Sequence, residues 1–364
     1  MLKDIVMKII LSAVLTFFFS FGSIASEVSS SEKDANEKYN PVPPIMEHIS
    51  DAHSWHFWGS GHDAVALPLP VILWTEKGLV TFMSSEFHHD VEGHHIVTKK
   101  GMSFVNLHEK IYRLNDGAEH LEYNEKGEVM NVRPIDISIT KNVFAMLISV
   151  LILLLVFFKA ARSYKGEEVK VPKGIASFME PLILFIKNDI ARENIGEKHH
   201  QRFLPFLLTV FFFIWFNNLL GLIPIPGLGG ANVTGNIAFT LVLSTITLLL
   251  TNLNGNKEYW RHVFWMPGAP VPIKIFLIPI ELIGLIAKPF ALMIRLFANM
   301  TAGHIVVLSL VSLIFIFKSV YMSAVAVPFT LFISVLELLV ALLQAYVFTM
   351  LSALFIGSAV AEHH

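Results

Sequence analysis

Five titratable side chains set in otherwise apolar sequence could carry charge or protons through a hydrocarbon layer: Glu281, Lys288, Arg295, His304 and Glu337. The first three are spaced by seven, and Asn299 follows Arg295 by four. At about 100° per residue these four fall within about 40° on one helix face, so they form a polar stripe. Placing a charge at membrane depth costs about 2.5–3.5 kcal/mol on insertion scales, and residues there face protein or water and mark a pathway. Arg295 lies deep in its segment, with Ala287–Ile294 behind it and Leu296–Phe297 ahead, and no carboxylate stands within four positions. Guanidinium stays protonated, with a pKa above about 12, whereas a buried lysine can neutralise itself; arginine here points to a required permanent positive charge. For Glu281 and Lys288 a plainer reading stays open, an i,i+7 pair that holds the helix or reaches the interface.

His304 sits nine residues beyond Arg295, about 180° around the helix, and so faces a different compartment. Glu337 and Gln344 are seven apart on the last apolar segment, with Ser334 close by on the same face. His304 and Glu337 stand at comparable distances from the connection at Lys318–Ser323, which lets them meet across it. A histidine–glutamate pair in low dielectric can pass a proton, because imidazole titrates near neutral pH and burial raises a carboxylate toward it.

These residues need elements to hold them, and the composition says which. Of 364 residues 54% are hydrophobic and only 15% charged, where a soluble protein carries about 25%. An ordinary soluble protein is excluded. With no cysteine there is no disulfide framework, no Cys-ligated zinc, no iron–sulfur cluster and no thiol catalysis. Residues 26–140 carry 18 acidic and 9 basic side chains, whereas 141–364 carry 10 and 16. An acidic soluble part therefore precedes a basic, apolar one. Asn142–Phe158, Phe203–Ile223 and Asn236–Leu253 are each about long enough to cross roughly 30 Å of hydrocarbon. The 159–202 linker holds nine Lys or Arg and 224–235 holds none; the positive-inside rule puts the first and third linkers in the cytoplasm. Ile273–Phe317 and Ala324–Val360 are over-long for upright spans, so the first either breaks at Pro279 or Pro289 or lies steeply inclined. The expected fold is an all-α polytopic membrane protein of about five transmembrane helices, the last two long, tilted and paired as a hairpin, preceded by a small β-rich extracytoplasmic domain.

At the N-terminus, Lys3 and Lys8 precede the apolar run Ile9–Ile24, ending in small residues. This predicts a signal peptide over 1–25; the other reading is an uncleaved first membrane helix, for which 16 residues is short. Residues 26–54, polar and holding Pro41, Pro43 and Pro44, read as a flexible tether. Over 55–140, Leu67–Leu73 with Leu79–Met83, and His95–Val97 with Ser103–Val105, flank Gly-containing turns and read as short strands. Ten of the 16 histidines fall between His48 and His120, including His88-His89 and His94-His95. Paired imidazoles suit zinc, copper or nickel; solvated surface histidines are the expectation, with no metal and no cofactor. No nucleic-acid partner is expected.

The run Met293-Ile-Arg-Leu-Phe-Ala-Asn-Met-Thr-Ala-Gly-His304, preceded by Ile280-Glu281 and Lys288-Pro289, resembles the signature of subunit a of the rotary ATP synthase, in its membrane Fo sector. Asn217-Asn-Leu-Leu-Gly-Leu-Ile-Pro224, Asn232-Val-Thr-Gly-Asn236 and Leu343-Gln-Ala-Tyr-Val-Phe348 are similar to further motifs of that family, in its order, and the resemblance covers about 140–360. It implies a proton-conducting stator subunit without an active site for ATP chemistry, in the cell inner membrane. Its partners would be the c-subunit ring, the b subunits of the peripheral stalk, the catalytic head reached through the complex, and the lipid bilayer. Arg295 would face the ring carboxylates. The outer half-channel would use His304 and Glu337, with Asn218, Asn236, Asn299 and Gln344 as polar lining; Glu281 and Lys288 would line the inner side. Some family members carry glutamate at the position of His304 and histidine at that of Glu337. Here both are exchanged together, which preserves the pair.

Two other classes fit less well. An ion-coupled secondary transporter also places charges near the midplane, but these spans show no evident inverted repeat. An intramembrane metallohydrolase would need a ligand set, and no His-Glu-x-x-His occurs.

Overall fold

A computed structural model describes residues 39–58, 65–115, 117–164, 174–222, 231–266 and 270–361. The signal peptide expected at 1–25 lies outside the described residues. The chain divides into two compact units, one of residues 1–146, 220–231 and 305–330, the other of 147–219, 232–304 and 331–364.

In the first unit the segment expected as a tether contains a helix, α1 (Val42–Ile49). Asn40 Oδ1 accepts the Val42 N–H at 3.1 Å. Pro43 and Pro44 lie in the first turn, where a missing N–H costs nothing. Two of the prolines read as part of a flexible tether thus belong to a helix start. The strands follow: β1 (Ser54–Trp58), β2 (Val65–Pro68), β3 (Pro70–Thr75), β4 (Gly78–Met83), β5 (Val97–Lys99), β6 (Met102–Leu107), β7 (Lys110–Arg113) and β8 (Ile135–Asp136). They pair as β1–β2, β4–β3–β8 and β5–β6–β7, all antiparallel. Thr75 pairs with Gly78, Lys99 with Met102 and Leu107 with Lys110, so three hairpins close through two-residue loops. In the second loop Lys100 and Gly101 both take positive φ (51° and 67°), the twist that suits a tight hairpin. Alternation along β3 and β4 sends Val71, Leu73, Val80 and Phe82 into a core with Phe87, Met102, Phe104 and Ile111.

The join between this domain and the first long helix, α2 (Lys141–Arg162), is made by residues about ninety positions apart. Asp51 Oδ1 accepts the Asn142 N–H and its Oδ2 the Thr140 hydroxyl, each at 3.0 Å, so Asp51 caps α2 from a distance. Beside it His53 is buried, Nε2 at 2.9 Å from Asp136 Oδ2 and Nδ1 at 3.3 Å from Glu109 Oε2. Burial opposes protonation of this imidazole, but hydrogen bonds to Asp136 and Glu109 and their charges outweigh it and raise its pKa to about 9. Burial likewise works against ionising Asp136, yet its bonds to His53 and Ser138 hold it down at about 2.

The helical part continues with α3 (Ile175–Phe185), which runs through a π-helical turn (Ile186–Arg192), then α4 (His200–Leu222), α5 (Ile237–Leu253), α6 (Lys257–Phe264), α7 (Val271–Ile316) and α8 (Val320–Val360). Among the described residues four helices are long and apolar enough to cross a membrane, or five if α5 and α6, bent by 105° at their break, count as one span. These match the segments expected from sequence to within a few residues at most ends. α7 runs unbroken through Pro279 and Pro289 for 46 residues, so of the two alternatives for this segment the chain does not break. At 1.5 Å per residue it is about 69 Å long. The core of the second unit joins Phe203, Leu207, Val210, Phe211 and Ile214 of α4 to Leu292 and Leu296 of α7 and Ala345, Phe348, Ala353 and Ile356 of α8.

Candidate functional site

On α7 the buried Leu292, Met293, Leu296 and Met300 face the core, while Ile294, Arg295, Ala298 and Asn299 are exposed. Helical spacing of three and four separates the two sets. Arg295 therefore points away from its own unit, and among the described residues no carboxylate lies within ion-pair distance of it. Lys288 and Asn299 are exposed, and Glu281 is about one-third exposed.

His304 is partly buried, its Nε2 fully so. The carboxylate of Glu337 lies against Gly303, the residue before His304; a methyl group added at 303 would overlap it. Among the described residues Glu337 Oε1 is buried with no hydrogen-bond partner. The two long helices come close at this level at Gly303, where the glycine makes room for the Glu337 carboxylate. Gln344 is buried two turns further along α8.

Polar ties surround this level. Asn218, fully buried, donates from Nδ2 to the Ala341 carbonyl at 3.1 Å and accepts the Thr234 hydroxyl at 2.6 Å. Asn236 caps α5, its Oδ1 accepting the Ala238 N–H at 3.0 Å, and Thr301 donates to the Gly235 carbonyl at 3.3 Å. Asn218 is a tie between helices and Asn236 a helix cap. Thr234, Thr301 and Gly303 were not singled out by sequence reasoning, although all three sit inside the quoted motifs.

The other end of the stripe is separate. Glu281 Oε1 lies 4.0 Å from His262 Nδ1 on α6, and Lys288 Nζ sits 5.7 Å from the Phe355 ring centroid on α8. A cleft opens here, lined by Thr247, Thr251, Asn252, Tyr259, Lys288 and Ser358 among others. Tyr259 donates its hydroxyl to Asn252 Oδ1 at 2.9 Å. Tyr259 and His262 also escaped the sequence reading, because α6 is short and looks like an ordinary polar linker.

Among the described residues, the β-rich N-terminal domain included, no group of three or more His, Asp or Glu is arranged to hold a metal ion. His88 and His95 stack edge to face at 4.5 Å between ring centroids, and His94 lies 3.6 Å from Glu92 and 3.8 Å from Asp90.

A family model described as ATP synthase A chain matches residues 143–357. The chain belongs to that family. Its members are membrane subunits of ATP synthase, taking part in proton transport and ATP synthesis. A second model, described only as a domain of unknown function, matches residues 44–137. Among curated relatives, ATP synthase subunit a of Chloroherpeton thalassium is 49% identical over 231 residues, 62% of this chain and 68% of the relative. ATP synthase subunit a 2 of Chlorobaculum tepidum is 46% identical over 280 residues, 75% of this chain and 73% of the relative. That share exceeds the membrane part, so the similarity reaches into the region before residue 141 and is wider than the motifs alone indicated.

Proposed function

We propose that the chain is the proton-conducting stator subunit of the synthase, with two offset half-channels that load and unload carboxylates on a rotating c-subunit ring. The observation that carries this is the outward face of Arg295, a permanent cation turned from its own core. A guanidinium at membrane depth requires an acid, and an acid from another subunit satisfies it. A ring carboxylate in lipid is protonated because the desolvated anion is costly; opposite Arg295 the anion is favoured and the proton leaves. The same fixed charge repels protons and blocks a direct leak between the half-channels. Rotation is then the permitted route, and each proton moving down 100 mV releases about 2.3 kcal/mol.

His304 and Glu337 serve the outer half-channel, with Asn299 and Gln344 as polar lining and Asn218 and Asn236 setting its walls through their ties. Glu281, Lys288 and the cleft beside them serve the inner one. α7 and α8 form the hairpin, inclined steeply enough to fit about 69 and 62 Å of helix within the membrane. The exported domain lies outside the cytoplasm, the C-terminus within it, and the b subunits hold the chain against the head.

Arg295→Ala tests the reading. Proton-driven ATP synthesis is expected to vanish while passive conduction through membranes stripped of the catalytic head persists or rises. Retained synthesis would overturn it.

A further inference from the structure

Resting on the inner half-channel just described, we propose that His262 is the proton-transfer residue at its mouth, exchanging protons between Glu281 and bulk water, so that α6 is a working wall of the channel. His262 Nδ1 lies 4.0 Å from Glu281 Oε1, a gap that a small side-chain rotation or one water closes. The imidazole is 52% exposed and the carboxylate 33%, so His262 is the more accessible member of the pair. One turn before His262 on α6, Tyr259 lines the cleft together with Lys288 and is fixed by its bond to Asn252. Tyr259 thus borders the cleft on the same helix that carries His262 beside Glu281.

α6 is held in place for this task. Its first residues are capped by Asn256, whose Oδ1 accepts the Tyr259 N–H at 2.7 Å. The Asn256 N–H donates to the Ala359 carbonyl at 2.9 Å and its Nδ2 to the Ala361 carbonyl at 2.6 Å, which pins the start of α6 to the end of α8. A surface helix bent 105° from α5 is thereby fixed against the elements that carry the cleft.

The chemistry balances. On exit the Glu281 O–H bond breaks and an N–H bond forms at His262 Nδ1, giving carboxylate and imidazolium; the imidazolium then releases its Nε2 proton to water. For entry the steps reverse. An imidazole has two ring nitrogens, so His262 can take a proton on the side of Glu281 and release one on the side of the solvent, which a carboxylate set further in cannot do.

The test uses the assembled complex in inverted vesicles, cytoplasmic face outward. His262→Ala and the volume-preserving His262→Gln are expected to lower passive proton conduction through head-stripped membranes roughly tenfold, at normal levels of the subunit. Imidazole buffer added outside is expected to restore most of the rate, and buffer trapped inside to restore none. An unchanged rate in either assembled variant, or a loss that external imidazole does not repair, overturns the proposal. Arg295→Ala run in parallel separates the two readings: if it abolishes ATP-driven pumping while His262→Ala is silent, the relay falls and the half-channel reading stands. If Arg295→Ala keeps coupling, the half-channel reading itself falls.

Discussion

The residues that matter most are those whose chemistry disagrees with their surroundings. Arg295 was legible from sequence because a permanent charge in apolar context needs no structure to be noticed. The pairing of His304 with Glu337 rested on a comparison of distances from one connection, and a swap tests it. His304→Glu with Glu337→His is expected to recover proton conduction that each single change loses; additive losses would show two independent sites. Gly303 was illegible, since a glycine among apolar residues looks like loose packing until the Glu337 carboxylate is seen against its Cα. Alanine in a helix interior is favoured over glycine by about 1 kcal/mol, so Gly303→Ala leaves α7 folded. It should nevertheless cut proton conduction by roughly ten- to a hundredfold by displacing the carboxylate, read as passive conductance with unchanged thermal stability.

At the scale of elements, the apolar runs foretold the helices because length and hydropathy decide whether a segment can cross a bilayer. Whether α7 breaks was not decidable from its two prolines: a proline removes one hydrogen bond, and flanking turns packed on neighbours can carry the helix past it. Close approach between elements was equally hidden. Gly357 of α8 packs on the Asn194 carbonyl that follows the π-helical turn, and a methyl there would overlap backbone. Gly357→Ala is expected to destabilise the membrane part by about 1–3 kcal/mol, measured as a lower unfolding temperature in detergent. Asp51→Ala, which removes the distant cap of α2, is expected to cost about 1 kcal/mol and to expose the 50–55 segment to protease.

For the molecule as a whole, the β-rich N-terminal domain carries its own pH dependence. His53 has a folded pKa of about 9 against an ordinary 6.5, so its contribution is full below pH 6.5 and is lost as pH rises through 9. Asp136, at about 2 against 3.8, contributes above pH 3.8 and loses that contribution as pH falls through 2. The domain should therefore resist proteolysis best between about pH 4 and 6.5 and open progressively on the alkaline side. His53→Gln should flatten the alkaline limb; an unchanged limb would remove this cluster as its cause.

Composition and spacing by themselves determined that this chain spans a membrane, where its spans lie, and which charges inside them demand a purpose, because burying charge and exposing apolar surface are local costs that any fold must meet. Tertiary structure alone decided which way each charge faces and what it meets. Arg295 is turned outward, while Glu337 seated on Gly303, Glu281 beside His262 and Asp51 capping a helix ninety residues away are contacts between segments separated in the chain. Such contacts depend on how helices rotate and pack against one another, and a one-dimensional pattern specifies a face but not its neighbour.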